Sequence, residues 1–251
     1  MKTSNADQIL VEVTDHILQI SVNRPNKKNA LTQDMYAALS NAFEDATHNE
    51  DIRAVLITGG NDFSAGNDLE DFLQHPTKLL TSPLGDFIQA LSNCTKPVVA
   101  AVDGYAVGIG TTLLLHCDLV YCSDRSTFIL PFIDLGLVPE FGSSLLLPRY
   151  AGNHLAAELL MLGEPFGGEV ALRAGLINGI IETKNLLSHA KNIAIKLAKK
   201  PANAMQQTKA LLRKNEESLQ DRIAHEASIF NKLVTSPEAT SAMQAILDKG
   251  K

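Results

Sequence analysis

The stretch Ala54-Val55-Leu56-Ile57-Thr58-Gly59-Gly60-Asn61-Asp62-Phe63-Ser64-Ala65-Gly66-Asn67-Asp68-Leu69 decides the fold. Its opening run, Ala54 to Thr58, is almost continuously apolar and is stopped by two glycines. A strand with no polar face for water belongs in a sheet covered on both sides. The small residues Ser64, Ala65 and Gly66 let a ligand approach the main chain, and Asn67 or Asp68 suits the start of a helix. The pattern recurs at Val98-Val99-Ala100-Ala101-Val102, followed by Asp103-Gly104-Tyr105-Ala106-Val107-Gly108-Ile109-Gly110-Thr111-Thr112. Free amides at the start of the second helix are suited to an oxygen bearing negative charge. Gly104, Gly108 and Gly110 are not spaced as the dinucleotide-binding GxGxxG. Taken alone, each turn reads first as a place of close helix–strand packing.

Outward from these turns the chain alternates strands and helices, so the fold class is α/β. Alternation in Ile9 to Val13 and in Ile17 to Val22, with Thr14-Asp15-His16 between, predicts an opening hairpin. From Gln33 to Asp45, Met35, Leu39 and Phe43 recur at helical spacing behind Thr32, a candidate N-cap. Another helix is expected around Leu84 to Leu91, and Leu119-Val120-Tyr121 reads as a strand. Beyond about Leu186 the pattern is helical, over Ser188 to Lys199, Ala202 to Lys214 and Asp221 to Leu233, punctuated by Pro201 and Pro237. We divide the chain into a core, residues 1–195, and a helical region, residues 196–251, across a soft boundary. No internal repeat or low-complexity tract interrupts it.

With 251 residues and 45% hydrophobic content the chain can bury a full core. A net charge of -6 argues against a nucleic-acid partner, and an anionic ligand must be met locally. Cys94, Cys117 and Cys122 form neither a CxxC pair nor a zinc-ligand spacing, which fits a reduced setting without a metal. Met1 to Asp7 lacks the apolar core of a signal peptide, Asp248 to Lys251 shows no address or lipidation box, and no run is long enough for a membrane helix. A cytoplasmic location is expected.

Four ordered motifs couple the two turns: Asn23-Arg24-Pro25-Asn26-Lys27-Lys28-Asn29-Ala30-Leu31, Ser64 to Leu69, Lys96-Pro97-Val98-Val99-Ala100, and Gly104 to Thr112. Together they resemble the crotonase (enoyl-CoA hydratase/isomerase) superfamily in collinear order, as does Ala171 to Ile177 ahead of the last core strand. The resemblance implies a crotonase-like fold of repeated ββα units with a C-terminal helical region, assembled as a trimer or dimer of trimers around acyl-CoA. It implies an oxyanion hole made by the amides of Asn67 and Ile109, which hold the thioester carbonyl. Removing such a donor costs about 3 to 4 kcal/mol. It also implies contacts to CoA from Asn26, Lys27, Lys28, Ala30, Ser64, Ala65, Gly66, Asp68, Gly108 and Phe132. Lys27 and Lys28 either face phosphates or line a solvated loop. CoA is part of the substrate, and no separate cofactor is implied.

The family's hydratases use two carboxylates, at positions that here read Thr112 and Phe132. Neither side chain exchanges a proton near neutral pH, which speaks against ordinary hydration. A carboxylate does occur in Leu135-Gly136-Leu137-Val138-Pro139-Glu140-Phe141-Gly142-Ser143-Ser144. With Pro131-Phe132 and Gly66 to Leu69, this segment resembles the peroxisomal-type Δ3,Δ2-enoyl-CoA isomerases, whose base is a glutamate after proline. The resemblance makes Glu140 the base, with Phe132 and Leu137 expected as apolar neighbours that raise its pKa. Outside the resemblance, a glutamate there would simply complement a helix dipole. Asp68 reads as a helix cap, His116 as a packed core position, Glu164 as a turn residue, and Ser64 has no local base signature. A hydratase, another acyl-CoA reaction, or a non-catalytic acyl-CoA-binding protein are the competing readings.

Overall fold

The structure is a computed structural model, and it describes residues 8–74, 79–213, 218–234, 236–241 and 243. The terminal segments Met1 to Asp7 and Asp248 to Lys251, and Lys214, lie outside the described residues. In chain order the strands are β1 (Ile9–Thr14), β2 (Ile17–Val22), β3 (Ala54–Thr58), β4 (Val98–Val102), β5 (Tyr105–Val107), β6 (Leu119–Ser123), β7 (Thr127–Ile129), β8 (Phe166–Gly167) and β9 (Gly179–Ile181). The helices are α1 (Gln33–His48), α2 (Leu69–Gln74), α3 (Pro83–Asn93), α4 (Ile109–Thr112), α5 (Ser143–Ala151), α6 (Asn153–Leu162), α7 (Gly168–Arg173), α8 (Thr183–Ala198), α9 (Ala202–Arg213) and α10 (Leu219–Val234).

β1 and β2 form the expected hairpin, with Asp15 and His16 at φ 53° and 62°, the left-handed pair that a two-residue turn of matching twist requires. β3, β4, β6 and β9 then add in parallel, giving the order β1-β2-β3-β4-β6-β9. Every residue of β3 and β4 is buried, as their continuous apolar runs demand. Alternate side chains serve different layers. Val55, Ile57, Val98 and Ala100 join Tyr36, Leu39 and Phe43 of α1 and Phe87 and Leu91 of α3 in the main core. Leu56, Val99 and Ala101 pack on the other face against Leu186, Ala190 and Ala194 of α8. The result is a three-layer sandwich.

Two helix starts follow their caps. Thr32 Oγ1 accepts from Met35 N at 3.4 Å, and Ser82 Oγ accepts from Gly85 N at 3.3 Å, ahead of Pro83 at the first helical position. α8 starts at Thr183, earlier than the expected Ser188, because Thr183 Oγ1 is tethered to Asp124 Oδ1 at 2.6 Å across the sheet edge. The glycine-rich segment expected to be a turn contains β5, which leaves the main sheet at Gly104 and joins β7 and β8 in a second sheet. α9 is fastened to the core by Lys209, whose Nζ sits 2.7 Å from Asp118 Oδ2.

Candidate active site

Three segments are laced together beside the second sheet. Ser64 N donates to Tyr105 O and Val107 N to Ser64 O, each at 2.9 Å, so the first turn runs as an extra strand along β5. On its other side Leu31 N donates to Gly66 O at 2.7 Å, Asp68 N to Leu31 O at 2.8 Å, and Ala65 N to Lys28 O at 2.9 Å. Gly66 has φ +85° and a Cβ there would lie 2.6 Å from Val107 O, so glycine alone lets the turns touch. Gly108 gives its amide to Ile129 O at 2.9 Å and accepts from Thr111 N and Thr112 N, closing the first turn of α4. Backbone polar groups this well enclosed are normally paired. The amides of Asn67 and Ile109, and that of Gly110 beside it, have no acceptor among the described residues.

Side chains fix these segments. Asn29, nearly fully buried, accepts from Arg24 N at 2.7 Å and donates to Gly59 O and Asp62 O, each at 2.6 Å, while Ser64 Oγ donates to Asn29 O at 2.9 Å. Asn67 Oδ1 accepts from the Tyr36 hydroxyl at 2.6 Å. Asp68 Oδ1 accepts from the amides of Glu70 and Asp71 at 3.1 and 3.2 Å, the cap that its sequence position suggested. Its other oxygen pairs with Arg24 at 2.6 Å. Burial pushes this carboxyl up, but the hydrogen bonds from Arg24 and the helix amides outweigh it and hold the group below its usual range.

Of the remaining candidates, Asn26 and Lys27 lie in an exposed turn, with Lys27 Nζ 3.4 Å from Glu70. Lys28 Nζ sits 4.3 Å above the Tyr105 ring. Ala30 O accepts from Arg24 Nη1 at 3.0 Å. Half-buried Ala65 completes the group around the first turn.

Glu140 meets this group from the far side of the chain. Thr112 Oγ1, at the end of α4, donates to its Oε1 at 2.5 Å, and its Oε2 is shielded from solvent with no partner among the described residues. Burial raises the Glu140 pKa to about 7, and the hydrogen bond from Thr112 pulls it part of the way down. Tyr36 is raised by its own burial and then by the charges of Glu140 and Asp71, which sets Tyr36 within the field of Glu140. The carboxyl therefore does not cap a helix dipole. Its backbone does that work: Ser143 donates to Glu140 O through its amide at 3.0 Å and its hydroxyl at 2.6 Å, and α5 begins there.

Phe141 is left-handed at φ 55°, a strained setting for a bulky side chain. It is held by His116, which stacks on its ring at 4.0 Å and gives Nε2–H to its carbonyl at 2.7 Å, and by Phe87 edge-on at 6.0 Å. Burial first, and the Arg213 charge after it, keep His116 below its ordinary pKa despite that bond. The packing role expected of His116 is thus specific: it pins the residue next to Glu140.

Phe132 and Leu137 differ in exposure. Phe132 is buried in the main core, but Leu137 is 45% exposed, in an apolar loop with Ile133, Leu135 and Val138. The loop turns back on itself where Leu137 N donates to Phe132 O at 2.8 Å. Sequence reasoning missed Tyr36, Thr112 and Phe141 as neighbours of the site. Tyr36 is one apolar position among several on α1, and Thr112 was noted for the acid it lacks, 28 residues from Glu140. Chemically, two unpartnered amides can hold an oxygen gaining negative charge, and a carboxyl titrating near neutrality can take and return a proton.

Comparison with known proteins shows the family. The family described as Enoyl-CoA hydratase/isomerase matches residues 12–251. A Magnetospirillum magneticum AMB-1 protein provisionally named an enoyl-CoA hydratase/carnithine racemase superposes with a TM-score of 0.94 at 45% identity, covering 97% of this chain and 96% of that one. Enoyl-CoA delta isomerase 2 of Rattus norvegicus is 35% identical over 86% of this chain, which spans 57% of the rat protein. The 2,3-dehydroadipyl-CoA hydratase of Escherichia coli K12 is 32% identical over 96% of both chains. Among the described residues no helix is long and apolar enough to cross a membrane.

Proposed function

The chain belongs to the enoyl-CoA hydratase/isomerase family, and on that basis we propose that it is a Δ3,Δ2-enoyl-CoA isomerase, moving a C3 double bond to C2 of a fatty acyl-CoA. Relatives named for both isomerisation and hydration are similar to it, so the choice rests on the site. The observation that carries it is Glu140: a shielded carboxyl titrating near 7, beside the helix that presents the Ile109 amide, while Thr112 and Phe132 stand where hydratases place their acids.

In this reading the amides of Asn67 and Ile109 donate to the thioester oxygen and stabilise the dienolate. Glu140 takes a proton from C2 and returns it to C4, so one base suffices. Asn26, Lys27, Lys28, Ala30, Ser64, Ala65, Gly66, Asp68 and Gly108 line the approach for CoA, and no redox partner or metal enters the reaction. Exposed Leu219, Ile223 and Phe230 on α10 support assembly with further copies of this chain, as a trimer or dimer of trimers. The cytoplasmic setting belongs to the same proposal.

The test compares the protein with its Glu140→Gln variant on 3-enoyl-CoA and 2-enoyl-CoA, following isomerisation and hydration separately. Isomerisation is expected to fall by a factor of about 100 to 10,000, with little hydration in either protein. Isomerisation untouched by the substitution would sink the assignment. Strong hydration by the unsubstituted protein would make it a hydratase.

A further inference from the structure

We propose that Thr112 is a positioning residue whose hydroxyl ties down Oε1 of Glu140 and leaves Oε2 as the single oxygen that carries the proton. The isomerase reading supplies the two carbon atoms between which the proton moves; the assignment of the oxygen rests on the geometry. Thr112 is completely buried, and its amide is committed to Gly108 O at 3.0 Å. A hydroxyl has one proton to give, and this one goes to Oε1. Oε2 is equally enclosed yet has no partner among the described residues. A buried oxygen without a donor is costly in a native structure and is kept where chemistry uses it.

The surroundings leave Oε2 no rival partner among the described residues. Tyr36 of α1 spends its hydroxyl on Asn67, Asp71 of α2 is felt at Tyr36, and His116 gives Nε2–H to Phe141 O, with Arg213 of α9 bound to the His116 carbonyl. The Glu140 main chain is held by Ser143 and its neighbour Phe141 by His116, so both ends of the residue are anchored. With Oε1 bound, both transfers use Oε2. The C2–H bond breaks as Oε2–H forms, and the electron pair spreads into the dienolate. Oε2–H then gives its proton to C4, the electrons close the C2=C3 bond, and the carboxylate is restored. No oxidant or co-reactant enters, and the proton stays on one face of the substrate.

The experiment uses Thr112→Val, which keeps the shape and loses the hydroxyl, and Thr112→Ser, which keeps the hydroxyl. Protein labelled with 13C at glutamate carboxyls is titrated by NMR, with Glu140→Gln identifying the resonance, and kcat and KM for 3-enoyl-CoA are measured against pH. The valine variant should titrate about one pH unit higher and lose about tenfold in kcat with little change in KM, while serine restores both. Valine and serine variants with the same midpoint, or a change confined to KM, would overturn the proposal. A shifted midpoint in a protein that does not isomerise would sustain the role of Thr112 and reject the isomerase reading. Isomerisation with an unshifted midpoint would do the reverse.

Discussion

Gly66 shows how one residue sets the distance between the two turns. Its positive φ and the close approach of Val107 O leave no room for a side chain. Gly66→Ala should therefore lower stability by about 2 kcal/mol or more, from left-handed strain and a backbone contact that must open. It should also reduce kcat, since Asn67 follows directly in the chain. Chemical denaturation and steady-state rates check this, and an alanine variant with unchanged stability would show that the turns separate without cost. At this scale residues acting through their own neighbourhood were legible, Asp68 and Thr32 as caps, whereas Gly66, read as room for a ligand, is fixed by the approach of Val107 O. Thr112 was not legible, because its partner arrives only when the loop before α5 folds back.

Among the elements, α9 is tied down by a buried ion pair at Lys209 and by Arg213, which reaches Asp118, Ser92 O and His116 O. Lys209 donates to Asp118 and to Lys96 O, and Asp118 also accepts from Val98 N at 2.7 Å, tying the helix to the start of β4. Burial lowers the Lys209 pKa, with Asp118 opposing that. Without Lys209 the Asp118 carboxylate keeps Arg213 at 3.3 Å and the Val98 amide, so Lys209→Ala, which also loses the bond to Lys96 O, should destabilise the chain by about 1 to 3 kcal/mol. Amide exchange should quicken in α9 and leave α1 protected. Loss of protection in α1 to the same degree would mean that α9 is not a separate latch. α1 was readable from its helical spacing, and β3 and β4 from their unbroken apolar runs. β5, β7 and β8, two or three residues each, were not, because so short a run has no period and exists only through its partners.

The whole molecule carries the consequence of burying an acid. The Glu140 pKa rises from 4.5 to about 7 on folding, so between those values the folded chain holds more protons than the unfolded one. Stability is then highest below 4.5 as far as this group is concerned, falls as pH rises through the window, and is level above 7. At about 1.4 kcal/mol per pH unit, the span amounts to about 3.5 kcal/mol at most. Glu140→Gln lacks this term. Its stability relative to the unsubstituted protein should improve by about 2 to 3 kcal/mol between pH 5 and pH 8, read from denaturation curves at the two pH values. A constant difference would place the Glu140 carboxyl at an ordinary pKa. Asp68, held low by Arg24, acts in the opposite direction and only in acid.

The sequence by itself determined the α/β class and the two-sided burial of β3 and β4, because each depends on local composition and spacing, while the resemblance singled out the two turns and Glu140. Tertiary structure decided what those parts touch. The Asn67 and Ile109 amides are left without partners only once Leu31, β5 and β7 have paired around them. The Glu140 titration near 7 belongs to burial, opposed by the hydrogen bond from Thr112 on α4, both brought about by chain closure over long separations. Local interactions are written in neighbouring residues, whereas desolvation and hydrogen-bond accounting exist only after the whole chain has enclosed the site.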